Sequence, residues 1–141
     1  MAWSQNYCSV VDSLGVCKFL THPKVWMRDP DEPFTGIKPE QFLTLLNAAT
    51  GLDMNLQDLM KAGERIFNLK RVFNVRRGIT KKDDTLPVRI LTQVRGGDEA
   101  DASNLPPLES MLSDYYRVRG WSDDGIPTQE KLAELNLQDL K

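Results

Sequence analysis

The sequence lacks several features that would place it in a familiar class of protein. Its 141 residues include only two cysteines and one histidine, and its formal net charge of -2 leaves no basic excess. A general nucleic-acid binder usually carries such an excess, so we expect no nucleic-acid partner. No apolar run approaches the roughly 20 residues that span a bilayer, and the first residues lack the layout of a signal peptide. Together with the scarcity of cysteine, this indicates a reducing, cytoplasmic compartment and no membrane partner.

Strand patterns are nearly as scarce as cysteines. Residues 88–92 form the best run of β-type residues, and this run is short, isolated and preceded by Pro87. Apolar residues instead recur at helical spacing along most of the chain. We therefore predict an all-α fold, an irregular bundle of about five helices with long loops over residues 21–38 and 92–106. The length suits one core, so residues 1–141 are expected to form a single helical domain.

Residues that favour helix ends set the expected boundaries. Pro39 and Thr128 suit the start of a helix, and Asn55 with Asp58 three residues later predicts a capping box at the start of the longest one. Three glycines are placed to end helices: Gly51, Gly78 and Gly120. The helix after Pro107 is expected to bury one apolar stripe: Leu108, Met111, Leu112, Tyr115 and Val118. The longest helix is expected to bury residues that recur every seven positions: Leu59, Ile66 and Phe73.

The first helical segment combines an acid, a glycine and a thiol. Apolar spacing predicts a helix from about residue 3 to 19, interrupted near Gly15, and Asp12 precedes Cys17 by five residues. A thiolate is a strong ligand for soft metals, but an iron–sulfur cluster needs about four such ligands. The spacing of Cys8 and Cys17 matches no such motif. From the residues alone, both cysteines are interpreted as small buried hydrophobes.

The remaining polar residues suggest structure more than chemistry. His22 lies in a proline-rich stretch and is interpreted as an ordinary loop residue, not a base or a ligand. Basic residues gather near the end of the longest helix: Lys70, Arg71, Arg76, Arg77, Lys81 and Lys82. They could bind phosphate or nucleic acid. However, the first four fall on different faces of one helix, and Asp83 and Asp84 follow directly, so a solvated or internally paired surface is favoured. Three aromatic residues are interpreted as helix-end packing: Tyr115, Tyr116 and Trp121.

Several stretches nevertheless recur together, in order, in one known family. They are Asp-Ser-Leu-Gly-Val-Cys at 12–17, the segment 68–78, the connector 82–89, and the segments 111–121 and 125–128. Each stretch alone is weak, but their joint order and spacing resemble the C-terminal portion of the tungsten-containing aldehyde ferredoxin oxidoreductases. The resemblance extends from about residue 7 to residue 137.

This resemblance implies a specific chemistry for residues 12–17. Members of the family oxidise aldehydes to carboxylic acids at tungsten, sometimes molybdenum, held by two pterin dithiolenes, and electrons leave through a 4Fe–4S cluster to ferredoxin. By match to the family motif Asp-x-x-Gly-Leu-Cys, Asp12 would accept hydrogen bonds from one pterin, and Gly15 would let the backbone approach it closely. Val16 would provide the apolar contact usually made by leucine. Cys17 would be the fourth cluster ligand, which reverses the interpretation of this cysteine as a buried hydrophobe.

The resemblance also implies that most of the machinery lies outside this sequence. The other three cluster cysteines and the first pterin motif belong to upstream regions of the family, and no Cys-x-x-Cys occurs here. The sequence also departs from the family at 76–78, where Arg-Glu-Gly is common, and at 93–94, near the usual Glu-Pro. We therefore expect the C-terminal portion of a larger oxidoreductase, inactive and without bound cofactor on its own. Its expected partners are the N-terminal domains of the same enzyme, ferredoxin and an aldehyde.

Two alternatives stay open at this point. One is the related domain of a benzoyl-CoA reductase tungsten subunit. The other is a stand-alone helical interaction module that has lost the cofactor, and a genuine start at Met1 would favour it. The residues also leave open whether four charged side chains serve the cofactor or brace the helices, and bracing is favoured: Arg71, Arg76, Asp83 and Asp84.

Overall fold

Helices account for all regular elements that the structure describes, apart from one isolated bridge between Trp121 and Pro127. The structure is a computed structural model that describes residues 1–21, 36–94 and 105–140. Its elements are α1 (Ala2–Ser13), α2 (Lys18–Thr21), α3 (Pro39–Thr50), α4 (Leu56–Arg76), a 3₁₀ turn (Lys81–Asp83), α5 (Val88–Thr92), α6 (Leu108–Arg119) and α7 (Gln129–Glu134). The all-α prediction is confirmed. Most of the predicted loops 21–38 and 92–106, with His22, lies outside the described residues.

Local capping chemistry explains where the helices begin and end. The backbone N–H of Asp58 donates to Asn55 Oδ1 at 2.9 Å, and the N–H of Asn55 donates to Asp58 Oδ2 at 3.2 Å. This is the predicted capping box of α4. Thr128 caps α7 by accepting a hydrogen bond from the N–H of Lys131. Gly120 ends α6 with a left-handed φ of 67°.

The run predicted as the best β-type segment is helical instead. Val88–Thr92 forms the single turn α5, which Pro87 begins with a φ of −51°, and Thr92 Oγ1 donates to Val88 O at 2.9 Å. Strand preference largely reflects packing against neighbouring strands. No strand lies beside this segment in the described part of the chain, so its β-branched residues gain nothing from an extended conformation.

The chain folds as two compact units, Met1–Lys70 and Arg71–Lys141. The first unit has an apolar core drawn from three helices: Tyr7, Val10, Val11, Phe42 and Leu59. Close helix contact supports it, because a Cβ built at Gly63 would lie only 2.6 Å from the backbone carbon of Asn6. A side chain at Gly63 would therefore push α1 away from α4.

One buried polar group in this core has no hydrogen-bond partner among the described residues. Tyr7 is 1% exposed, stacks on Trp3 with ring centroids 5.7 Å apart, and meets Phe42 edge to face at 6.0 Å. Its hydroxyl makes no hydrogen bond with any residue that the structure describes. Burial raises the pKa of Tyr7, and the nearby charges of Cys8 and Glu40 raise it further. The hydroxyl thus stays neutral but loses its hydration without compensation.

The buried face of α6 overlaps the expected stripe only in part, since Leu108, Leu112 and Tyr115 are half-buried. Tyr116 and Arg119 are 2% and 1% exposed, whereas Met111 and Val118 of the predicted stripe are 46% and 64% exposed. The α4 residue Phe73 is likewise 57% exposed. Long polar side chains with good partners can close a core, and an apolar periodicity gives them no weight. A separate apolar cluster lies at α7 and after it, and it is formed by Leu132, Leu135 and Leu137.

The unpaired hydroxyl yields a test of this core. Replacing Tyr7 with phenylalanine should raise the free energy of unfolding by about 1 kcal/mol, because it removes a buried donor that has no described partner. Urea denaturation of the purified chain measures the difference. The matched control is Tyr116→Phe, which should lower stability by about 2 kcal/mol because that hydroxyl donates to Asp84 at 2.6 Å. A loss of stability in Tyr7→Phe would show that the hydroxyl is satisfied after all.

Candidate functional site

The end of α1 is a glycine cap that lies between the predicted acid and the predicted thiol ligand. Gly15 has a φ of 68°, and its N–H donates to Asp12 O at 3.2 Å. The N–H of Val16 donates to Val11 O, also at 3.2 Å. This pair of bonds is the Schellman motif, in which a left-handed residue satisfies the last carbonyls of a helix. The chain therefore leaves the helix between Asp12 and Cys17.

The conformation of Gly15, not crowding around it, requires the glycine. A Cβ built at this position meets no atom within 4 Å. Left-handed backbone costs other residues about 1–2 kcal/mol, and glycine avoids that cost. No described residue fills the space over the cap, so a ligand could approach this backbone as the family resemblance implies.

The side chain of Val16 points inward, away from the open side of the cap. It is half-buried and packs against the core cluster that contains Tyr7, Val10 and Val11. An apolar contact of this kind commonly accompanies a Schellman motif. In the described structure, the apolar contact expected of Val16 is made with the protein's own core.

Asp12 and Cys17 are both exposed. Cys17 carries a free thiol at the surface, whereas the free thiol of Cys8 is half-buried. The interpretation of Cys17 as a buried hydrophobe is therefore wrong, because the cap carries it out of the α1 face that forms the core. The thiol and the carboxylate both lie at the surface of the described structure.

The donor set tests whether the implied cofactors fit this chain. A 4Fe–4S cluster takes about four ligands, and the described residues hold no group of three His, Cys, Asp or Glu side chains placed to bind a metal ion. One exposed thiol fits one corner of a cluster shared with other parts of a protein. Likewise, the carboxylate of Asp12 offers acceptors for one edge of a pterin. The segment therefore fits as one wall of a site.

A second set of polar residues is turned inward, in the unit Arg71–Lys141. Arg71 donates from Nη1 to Asp84 Oδ1 at 2.7 Å, and from Nε to Gly125 O at 2.7 Å. Its guanidinium carbon lies 4.9 Å from the ring centroid of Trp121. Tyr116 donates its hydroxyl proton to Asp84 Oδ2 at 2.6 Å. We call these five residues the arginine network.

Within the network, the positive charge of Arg71 is paired with the negative charge of Asp84. Burial by itself would raise the pKa of Asp84, but the hydrogen bonds from Arg71 and Tyr116, with the charge of Arg71, lower it below its ordinary value of 3.8. Burial and the bond to Asp84 raise the pKa of Tyr116. A Cβ at Gly125, where φ is 73°, would lie 2.5 Å from Arg71 Nη2. The backbone must therefore be bare at Gly125 for the arginine to reach its partners.

These contacts favour bracing for the charged residues whose role the sequence leaves open. Arg71 and Asp84 find partners inside the protein, and Asp83 accepts a hydrogen bond from the N–H of Thr80 at 2.7 Å. In the basic cluster, Lys81 pairs with Glu109 at 3.3 Å. The interpretation of Tyr116 as helix-end packing does not include its hydrogen bond to Asp84, and no sequence pattern indicates the contact of Gly125 with Arg71. Both residues nevertheless belong to the stretches that resemble the family.

Comparison with known proteins places this geometry in a family context. A model of the family described as aldehyde ferredoxin oxidoreductase, domains 2 and 3, matches residues 1–137. The chain is 35% identical to tungsten-containing aldehyde ferredoxin oxidoreductases of Pyrococcus abyssi and Pyrococcus furiosus over 96% of its own length and 20% of theirs. It thus spans about a fifth of the length of these curated relatives. No helix in the described ranges is long and apolar enough to cross a membrane.

More distant relatives carry other names. The chain is 26% identical to the WOR-like subunit of an aliphatic sulfonate oxidoreductase of Pyrococcus furiosus, over 92% of its length and 20% of that protein. Its fold also matches the active-site complex of benzoyl coenzyme A reductase with 1,5 dienoyl-CoA. That match has a TM-score of 0.75 and 28% identity, and it covers 99% of this chain and 19% of the other.

From the arginine network we predict that the free energy of unfolding depends on the carboxylate of Asp84. Asp84→Asn should lower the free energy of unfolding by about 3 kcal/mol near neutral pH, because it leaves the buried guanidinium of Arg71 without its counter-charge. Since the folded pKa of Asp84 is lowered, its contribution is present above pH 3.8 and is lost as the pH falls through the folded value. The gap between wild type and variant should therefore narrow in acid.

Urea denaturation at a series of pH values checks this prediction. Asp114→Asn is the matched control, because its ion pair with Arg117 is exposed on both sides and should contribute less than about 1 kcal/mol. A gap between wild type and Asp84→Asn that stays constant down to strongly acidic pH would contradict the ionised state of Asp84.

Proposed function

The chain belongs to the aldehyde ferredoxin oxidoreductase family, and on that premise we propose that it forms the cofactor-contacting helical portion of a larger enzyme that oxidises aldehydes to carboxylic acids. The supporting observation is the geometry of residues 12–17. There, a carboxylate and a thiol are both exposed on either side of a glycine cap whose outer face no described residue covers. A buried position for either group would have left nothing for a cofactor to contact.

Each residue of the segment has a separate part in this proposal. When bound, a tungsten–pterin group would supply the oxidation of the aldehyde, and a 4Fe–4S cluster would carry the electrons to ferredoxin. Asp12 accepts paired N–H groups of one pterin, since an ionised carboxylate offers two adjacent acceptor oxygens. Cys17 presents its thiolate to the cluster as one ligand. Gly15 keeps the backbone between them free of a side chain.

The remaining ligands come from elsewhere in the protein under this proposal. A single exposed thiol cannot close a site that takes about four, and the curated relatives are about five times as long as this chain, which spans 20% of them. We propose the other domains of the same enzyme as the partner of this surface, with an aldehyde as substrate and ferredoxin as electron acceptor.

A second candidate reaction is that of a benzoyl-CoA reductase. The fold match to its active-site complex favours it. Relatives named for aldehyde, sulfonate and benzoyl-CoA chemistry all match this same region, so the match alone does not distinguish the two reactions. Assaying the full-length enzyme with a series of aldehydes and with benzoyl-CoA, using a dye as electron acceptor or donor, separates the two.

The chain alone should fail to hold a complete cluster. We expect far fewer than about four irons per chain after anaerobic reconstitution with iron and sulfide, because the described residues provide no metal site of three ligands. Iron and sulfide analysis after gel filtration measures this. A stable brown protein with about four irons per chain would contradict the shared site.

Removing the thiol in the full-length enzyme tests the ligand directly. Cys17→Ser should abolish or strongly reduce bound iron and the spectroscopic signal of the reduced cluster, since serine is a poor ligand for iron in such clusters. In the chain alone the same change should alter the free energy of unfolding by less than about 0.5 kcal/mol, because Cys17 is exposed. Cys8→Ser is the matched control and should keep the cluster. Full iron content in Cys17→Ser would contradict the assignment of Cys17 as a cluster ligand.

A further inference from the structure

The backbone on both sides of Cys17 is held by hydrogen bonds, although the side chain of Cys17 is exposed. On one side, the N–H of Val16 donates to Val11 O at 3.2 Å. On the other, Cys17 O accepts a hydrogen bond from the N–H of Leu20 at 3.1 Å, which closes the first turn of α2. The connection between α1 and α2 is therefore short and hydrogen-bonded at each end.

Hydrogen bonds at an exposed helix end are not sufficient to hold such a connection, because water competes for them. The additional constraint is apolar. Val16 packs against the core cluster of the first unit, which includes Tyr7, Val10 and Val11. Val16 is thus the only residue from Leu14 to Cys17 that is not exposed.

From this arrangement we infer that Val16 is a positioning residue for Cys17. Its side chain anchors the connection in the core, so that the next residue presents its thiol outward in a fixed place. Gly15 sets the direction in which the chain leaves α1, and Val16 keeps it there. The inference rests on the proposed function for the identity of what the thiol binds, but not for the anchoring itself.

The anchor matters because a ligand that is ordered in advance binds without a further loss of freedom. Fixing a mobile backbone residue or side chain at the moment of binding weakens the complex. A cluster shared between parts of a protein is especially sensitive, since each ligand must arrive within a narrow range of distance and angle. A connection freed from the core would offer the same thiol in many positions.

The direct measurement is the backbone motion of Cys17 in the isolated chain. Val16→Ser should lower the heteronuclear ¹⁵N NOE of the Cys17 amide markedly, which reports motion faster than nanoseconds. Val16→Leu should leave it unchanged, because leucine keeps an apolar anchor. Val16→Ala provides a second, milder loss of the anchor if the serine variant does not fold.

A core variant on another helix separates positioning from general stability. Leu46 of α3 is partly buried against the same cluster, and Leu46→Ala should lower the free energy of unfolding without changing the NOE of Cys17. An unchanged NOE in both Val16→Ser and Val16→Ala would overturn the inference. An equal fall in Leu46→Ala would overturn it too, since the motion would then follow loss of the core in general.

Bound iron in the full-length enzyme shows whether the anchoring serves the ligand. Val16→Ser should lower iron occupancy several-fold, whereas the iron occupancy of Val16→Leu should equal the wild-type value. If Cys17→Ser keeps its iron, the proposed ligand fails whatever Val16 does. If Cys17→Ser loses iron while Val16→Ser keeps it in full, the ligand stands and the positioning role fails.

Discussion

The candidate site depends on the requirement that α1 ends between Asp12 and Cys17. Five residues of a continuous helix would place these side chains roughly 140° apart around the axis and about 7.5 Å apart along it. Cys17 would then lie on a helix whose inner face already forms the core of the first unit. The left-handed Gly15 releases Cys17 from that repeat. Two backbone hydrogen bonds and the inward side chain of Val16 then fix the new direction.

In the second unit, charged side chains occupy buried positions. Arg71 and Asp84 have side chains that are 8% and 22% exposed, which would be costly if either lacked a partner. The guanidinium instead meets a carboxylate, a backbone carbonyl and an indole ring, and Tyr116 binds the same carboxylate. The arginine network therefore replaces the apolar contacts that the exposed residues of α6 do not make.

Features controlled by neighbours in the sequence could be predicted, and features controlled by distant partners could not. The capping box at Asn55 and the glycine end at Gly120 follow from chemistry within one helical turn, and both are present. The buried face of α6 depends on Arg71 and Asp84, which lie more than thirty residues before Tyr116 in the sequence. An apolar pattern cannot include such partners, so it favoured Met111 and Val118. The same limit explains α5, whose β-branched residues have no adjoining strand in the described chain.

The candidate site was recognisable only through resemblance, and the distribution of polarity explains why. Cysteine is usually among the buried residue types and arginine among the exposed ones. Here, by contrast, Cys17 is exposed and Arg71 is buried. An exposed thiol adds little to folding, so its presence at the end of a well-anchored cap is not accounted for by stability. A buried arginine that donates to a carboxylate and to a backbone carbonyl has its hydrogen-bonding needs met within the protein itself. The two kinds of residue within the family-like stretches thus differ physically: the arginine network finds its partners inside the fold, whereas the capped segment faces outward, as the proposed contact with a cofactor and the rest of an enzyme requires.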